Sequence, residues 1–235
     1  MMEKPILFSA PMVNAILEGR KTQTRRVMSV QPPERYDGHV DFGGNSAFAV
    51  WLGETEEQDS THGGELKFPY GNIGDSLWVR ENIRFGIGYD GVKPSAIPKE
   101  PHIKRWYEAD TGLGHVPHGF GVLRPNIFMP RYFSRILLDI TGIRVERLND
   151  ISEEDAQAEG VPENMTYVPV QVGQEAMEAL KAGGHTKFIE RMVNPPVMQD
   201  WRAGFRRLWE SINGQESWDE NPFVWVIEFT RRAQP

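Results

Sequence analysis

The chain opens with Pro5-Ile6-Leu7-Phe8, a short apolar run that predicts a strand. Ser9 follows as an N-cap, and Met12, Val13, Ile16 and Leu17 recur at helical spacing. Gly19 stands where a glycine ends a helix, and a basic stretch begins immediately after it. Residues 31–72 mix Pro, Gly, Asp and Glu with weak periodicity, which reads as a long loop or partly ordered insertion. Gly74-Asp75 then turns into a strand whose Leu77 and Val79 alternate with Trp78 and Arg80, giving two different faces. Stretch 85–103 is again rich in Gly and Pro, and Lys104 to Ala109 predicts a further strand.

From Ser134 the pattern clears. Ile136, Leu138 and Ile140, then Ile143, Val145 and Leu148, predict two strands or one long bent strand with Thr141-Gly142 as the break. Ser152 with Asp155 three residues on forms a capping box for a short helix carrying Ala156, Ala158 and Glu159. Residues 173–194 predict one or two polar helices. Trp201, Phe205, Leu208, Trp209 and Ile212 keep helical spacing and predict a helix packed on the core, and Phe223 to Phe229 predicts a closing strand. These elements make an α+β domain of about five or six barrel strands with flanking helices. The 235 residues read as a single such domain, with insertions at about 31–72 and 85–130 and a helical one at about 160–215.

Composition narrows the function classes. The chain has no cysteine, which excludes disulfides, zinc ribbons, iron–sulfur clusters and a thiol nucleophile. No long apolar run marks a signal peptide or a spanning segment, so the cytoplasm is the expected compartment and no membrane partner is expected. The net charge of −7 lacks the positive excess that attracts phosphate polymers, so nucleic-acid contact would have to be local. A nucleoside or short strand suits that balance better than a long duplex. His115 and His118 lie three apart near His102, without an acid or cysteine at a supporting spacing; neither a metal nor a cofactor is expected.

The concentrated chemistry lies in Arg20, Lys21, Thr22, Thr24, Arg25 and Arg26. By charge alone this is a solvated turn, or a set of cations at a helix C-terminus. A sharper reading uses Lys21 and Thr24. A threonine hydroxyl becomes a nucleophile when a base takes its proton, and a lysine is such a base when burial or nearby cations lower its pKa. Residues three apart point to opposite faces of a flat strand, so the pair meets only if 21–24 turn. Arg80 and Glu81 are a candidate ligand-contacting pair or a cross-strand ion pair. Tyr70, Trp78 and Trp106 could stack on a base or pack in the core.

Gly19-Arg20-Lys21-Thr22-Gln23-Thr24-Arg25-Arg26 resembles the ASCH superfamily signature, a helix ending in G-R-K-T-x-T-x-R. Gly74 to Val79 is similar to that family's G-D-x-L-x-V strand, Leu148 to Gly160 to its L-T/S-x-E-x-A-x-x-E helix, and Trp225 to Phe229 to its V-I-E-F closing strand. The four blocks keep the family's order over almost the whole chain. Met129 to Arg135 resembles the M-P-R-Y/W-x-S-R of versions common in phage and prophage genomes, which implies a bacterial host cytoplasm. The resemblance implies a PUA-like β-barrel. Some small family members cleave the acyl group from N4-acetylcytidine, which implies Thr24 as nucleophile, Lys21 as its base and Glu159 as the group that orients the lysine or handles protons. Arg20, Arg26, Trp78, Arg80 and Glu81 are the ligand-binding candidates beside them. The leading expectation is a metal-independent amidohydrolase on N4-acylated cytosine nucleosides or related modified pyrimidines. The alternatives are a module binding RNA or modified nucleic acid, and a metal-independent ribonuclease. The oligomeric state is open at this level.

Overall fold

The computed structural model describes residues 1–32, 39–43, 46–51, 64–111, 115–169 and 197–233. It is an α+β protein whose first strand is β1 (Glu3–Leu7), followed by α1 (Ala10–Leu17) and β2 (Gln23–Val27). Strands β3 (His39–Gly43), β4 (Ser46–Trp51) and β5 (Gly64–Lys67) come next, then β6 (Ser76–Arg80), β7 (Ile83–Phe85) and β8 (Arg105–Tyr107). After β9 (Leu137–Arg147) and α2 (Glu153–Ala158) lie β10 (Tyr167–Pro169), β11 (Val197–Gln199), α3 (Trp201–Asn213) and β12 (Phe223–Arg231). No helix among the described residues is long and apolar enough to cross a membrane.

The main sheet is mixed, in the order β1-β6-β9-β12-β2. Only β1 and β6 run parallel; the other neighbours are antiparallel. Its edge strands approach one another where the Arg26 guanidinium at β2 donates to the Leu7 carbonyl at β1, 2.8 Å away. The larger apolar core packs on this sheet and is built from Ile6, Phe8, Val13, Ile16, Leu77, Leu138, Ile140, Trp225, Ile227 and Phe229 among others.

Several expectations meet their physical cause here. Helix α1 follows Ser9, and Gly19 takes a left-handed φ of +78° that lets the chain turn out of it. The stretch from Ser134 gives one long strand, β9. Its register with β12 shifts between Glu228, opposite Gly142, and Phe229, opposite Ile140, which leaves Thr141 over, so the expected break is a bulge rather than a turn. Ser152 Oγ accepts from the Asp155 amide at 3.0 Å, as a capping residue should. Two readings change. Stretch 31–72 is no plain loop, since it carries the β3-β4-β5 sheet and sends Ala47, Ala49 and Phe68 into the core. Strand β6 lacks a polar face: Ser76, Leu77, Trp78 and Val79 are all buried, and the guanidinium groups of Arg80 and Arg131 lie over the Trp78 ring. The polar helices expected at 173–194 lie outside the described residues.

The chain divides into two compact units. The first comprises Met1–Asp150, Ala158–Gly160 and Asn221–Pro235; the second comprises Ile151–Gln157 and Val161–Glu220. In the second, α3 is capped by Asp200, whose side chain accepts from the Ala203 amide, and Phe205 and Trp209 are buried on its inner face. Phe205 meets Trp218 edge-on at 6.1 Å.

Candidate functional site

Lys21 and Glu159 are 138 residues apart in sequence and meet inside the first unit. The backbone prepares the meeting. The amides of Arg20 and Lys21 both donate to Ala15 O at the end of α1. Lys21 then pairs as an antiparallel bridge with Glu159, and the Thr22 amide donates to Ala158 O. On the other side, the Phe229 amide donates to Thr22 O. Gly160 is required beside this bridge. Its φ is +74°, and a Cβ there would sit 2.7 Å from Lys21 Cβ and 2.8 Å from Ala15 Cβ.

The Lys21 side chain has no exposed surface. Its ammonium donates to Glu159 Oε2 at 2.7 Å and to the Glu159 carbonyl at 2.8 Å. Arg25 Nη1 donates to the other carboxylate oxygen, Oε1, at 3.0 Å. Arg25 is equally enclosed, and its Nε donates to Glu146 Oε1 at 2.9 Å. Arg144 joins Glu146 at 3.1 Å and also pairs with Glu228. Cation and carboxylate thus alternate from Lys21 outwards, from fully buried to half-exposed. Charge balance is what lets ions sit at this depth, because an isolated buried charge costs far more than a pair.

Burial is the largest influence on Lys21 and pushes its amine below lysine's ordinary range. The Glu159 carboxylate opposes that push, while Arg26 and Arg25 reinforce it. A buried lysine biased toward its neutral form can accept a proton. That property separates it from a surface cation.

Thr24 lies on β2 opposite Ile227, and Arg26 lies opposite Trp225, so both residues share the core face of the sheet. Gln23 and Arg25 take the other face. Thr24 is buried, with 2% of its surface exposed. The turn at 21–24 that would bring Lys21 onto Thr24 is absent. Hydrogen bonds from the Thr22 amide to Ala158 O on one side and from the Phe229 amide to Thr22 O on the other hold Thr22 extended. Among the described residues, neither Lys21 nor Glu159 is hydrogen-bonded to Thr24. Phe8 links the two ends of this segment instead. The Lys21 ammonium lies 5.6 Å from its ring centre and the Arg26 guanidinium 5.3 Å.

The ligand-binding candidates separate. Arg20 is half-exposed and paired with Glu18 at 2.5 Å, with a further contact to Gly160 O at 3.4 Å. Arg26 is partly buried beside Phe8. Trp78 is 7% exposed beneath Arg80, whose Nε donates to Met129 O, so that ring face is taken by a guanidinium. Glu81 is buried against Arg135, with bonds of 2.8 and 2.9 Å, and burial pushes its carboxyl above the usual carboxylate range. Arg135 in turn lies 4.0 Å from the Tyr107 ring centre and 2.8 Å from Asp110. Arg80 and Glu81 therefore do not pair with each other. Tyr70 packs on Phe68 and Trp106 on Phe120.

Sequence reading gave Arg25 only as a cation beside Lys21 and passed over Glu146, Arg144 and Glu228. One signal for them existed. Arg144 and Glu146 stand two apart in a predicted strand and so share a face, as Gln23 and Arg25 do. Two opposite charges at that spacing inside an apolar strand mark a paired, enclosed network.

Comparison of the chain with family models, curated proteins and solved structures found no match.

Proposed function

We propose that this chain is a metal-independent amidohydrolase that removes the acyl group from N4-acylated cytosine nucleosides or related modified pyrimidines, on a PUA-like barrel. The observation that carries the reading is the Lys21–Glu159 pair: a fully enclosed lysine, pushed toward its neutral form, on the same segment as a buried threonine. In this reading Thr24 Oγ attacks the acyl carbonyl carbon and its proton passes to the Lys21 amine. The tetrahedral oxyanion collapses, the carbon–nitrogen bond breaks, and the same proton goes from Lys21 to the departing N4 of cytosine. Water then cleaves the acyl-threonine ester with Lys21 again as base, releasing the carboxylic acid and restoring the hydroxyl. Glu159 holds the ammonium that forms in each half. The reading requires Thr24 Oγ to come within hydrogen-bonding reach of Lys21 when the acyl group is bound, as catalytic contacts that are long in a free enzyme often do. Arg26, on the core face with Thr24, is the cation this reading assigns to a substrate oxygen.

A second reading, recognition of a modified pyrimidine without turnover, draws on the absent Lys21–Thr24 hydrogen bond. Phosphate-contact readings, whether strand binding or ribonuclease action, lose Lys21 and Arg25, whose side chains are enclosed and bound to carboxylates. One assay separates them: the full chain in EDTA with N4-acetylcytidine and a short single-stranded RNA. Cytidine release with intact RNA is the expected outcome. RNA cleavage, or binding of the nucleoside with no cytidine formed, would sink the amidohydrolase.

A further inference from the structure

A second site lies within the first unit, in the segment 83–133, and none of the residues discussed so far lines it. A cavity of about 450 Å³ is lined by Asp90, Val92, Lys93, Pro94, Arg124 and Phe128, with Gly91 and Ser95 at its edge. That volume is in the range of small-molecule sites.

The walls are fixed from behind. Arg124 is anchored through its backbone, which exchanges both hydrogen bonds with Ile83 of β7. Its Nη2 donates to Tyr89 O at 3.1 Å and also to Asp90 O. The Tyr132 hydroxyl reaches Ile97 O at 3.0 Å and Pro94 O at 3.4 Å, clamping the turn that carries the opposite wall. Asp90 Oδ1 accepts from the Val122 amide at 2.9 Å. A Cβ at Gly121 would fall 1.8 Å from that same oxygen, so only glycine admits the aspartate.

A guanidinium has five N–H donors. In Arg124 only Nη2 has acceptors among the described residues, which leaves Nε and Nη1 for something else. Lys93 adds a second, exposed cation. Against Asp90 they give the lining a net charge of +1 (two cations less one carboxylate) in a protein of −7. The remaining walls are apolar, and Phe128 leaves 60% of its surface open. Spare N–H groups on Arg124 and the Lys93 ammonium fit the oxygens of a carboxylate or phosphate through single hydrogen bonds, and an open phenyl ring fits a flat partner. We propose that this cavity binds a small planar anion, a flat ring carrying one phosphate or carboxylate group, with the anion on Arg124 and Lys93 and the ring on Phe128. Asp90 is placed to accept an N–H from that ring. This site does not rest on the amidohydrolase reading.

The test is calorimetric titration of the full chain with cytidine 5′-monophosphate and indole-3-acetate, and with cytidine, inorganic phosphate and acetate as controls. Lys93→Gln and Phe128→Ala change exposed side chains, and melting curves matching wild type certify their folding. Saturable binding of either ring-bearing anion, weakened at least about tenfold in both variants and unchanged in Lys21→Ala, is expected. Which of the two binds tells phosphate from carboxylate. The proposal falls if neither binds, if phosphate or acetate alone binds as tightly, if the two variants bind like wild type, or if Lys21→Ala abolishes binding.

Discussion

Glu159 places one carboxylate oxygen on Lys21 and the other on Arg25, so a single side chain neutralises two enclosed cations. Glu159→Gln keeps the shape but removes the charge, and uncompensated buried charge is among the costliest defects a fold can carry. We expect a loss of about 3–5 kcal/mol in urea unfolding. A loss below about 1 kcal/mol would mean that water reaches the pair. The same geometry fixes a pH dependence. In the proposed mechanism Lys21 must be neutral to accept the Thr24 proton, so kcat/KM is expected to rise with pH as the amine deprotonates. The Arg25 charge lowers the Lys21 pKa, and it shares the carboxylate that would otherwise raise it. Arg25→Gln should therefore move the acidic limb of the pH–rate profile to higher pH. A variant that is slower at every pH with the limb unmoved would assign Arg25 a purely structural part. Stability obeys the same sign. The unfolded chain holds the Lys21 proton more tightly than the folded one. Its contribution is least favourable below the folded pKa and improves as pH climbs toward lysine's ordinary range.

At the scale of elements, the site is made by the junction of α1 and β2 with Ala158, the last residue of α2, and the Glu159-Gly160 that follows it. Two glycines there have the same backbone sign and different surroundings. Gly19, at φ +78°, has open space where a Cβ would go; Gly160, at φ +74°, has Lys21 and Ala15 in the way. Gly19→Ala should cost about 1 kcal/mol, the strain of a left-handed alanine. Gly160→Ala should cost roughly 2–4 kcal/mol, since overpacking adds to that strain, and it should displace Lys21. Equal melting temperatures for the two variants would show that the Lys21–Glu159 bridge has slack. The same elements show what a sequence can disclose. Helix α1 was readable because Val13 and Ile16 repeat at its period and are buried, and β12 because Phe223 to Ile227 is an unbroken β-forming run. Strands β3 to β5 were not, since Ala47 and Ala49 reach the core as small residues with little strand preference, amid glycine and acids. Glu159 was readable only through the family resemblance, and it stands one residue past the helix expected to carry it, in the bridge with Lys21. The Arg25–Glu146 pair spans 121 residues of chain, a separation at which local pattern carries no information.

Across the molecule, charge and enclosure point the same way. The net charge is −7, and two of the four cations in the 20–26 segment are spent on internal carboxylates. Long phosphate polymers thus find little to hold at this site, whereas a small neutral nucleoside meets no electrostatic barrier. In the proposed reading, the charge of the whole chain favours a small neutral substrate, and Lys21, Thr24 and Glu159 supply the chemistry. The most direct measurement is kcat/KM for N4-acetylcytidine with the wild-type chain, Thr24→Ala and Lys21→Ala, in EDTA. The account predicts measurable turnover by the wild type and a drop of about a thousandfold or more per folded molecule in each variant, the folded fraction being read from urea unfolding. Turnover by Thr24→Ala at the wild-type rate would contradict it.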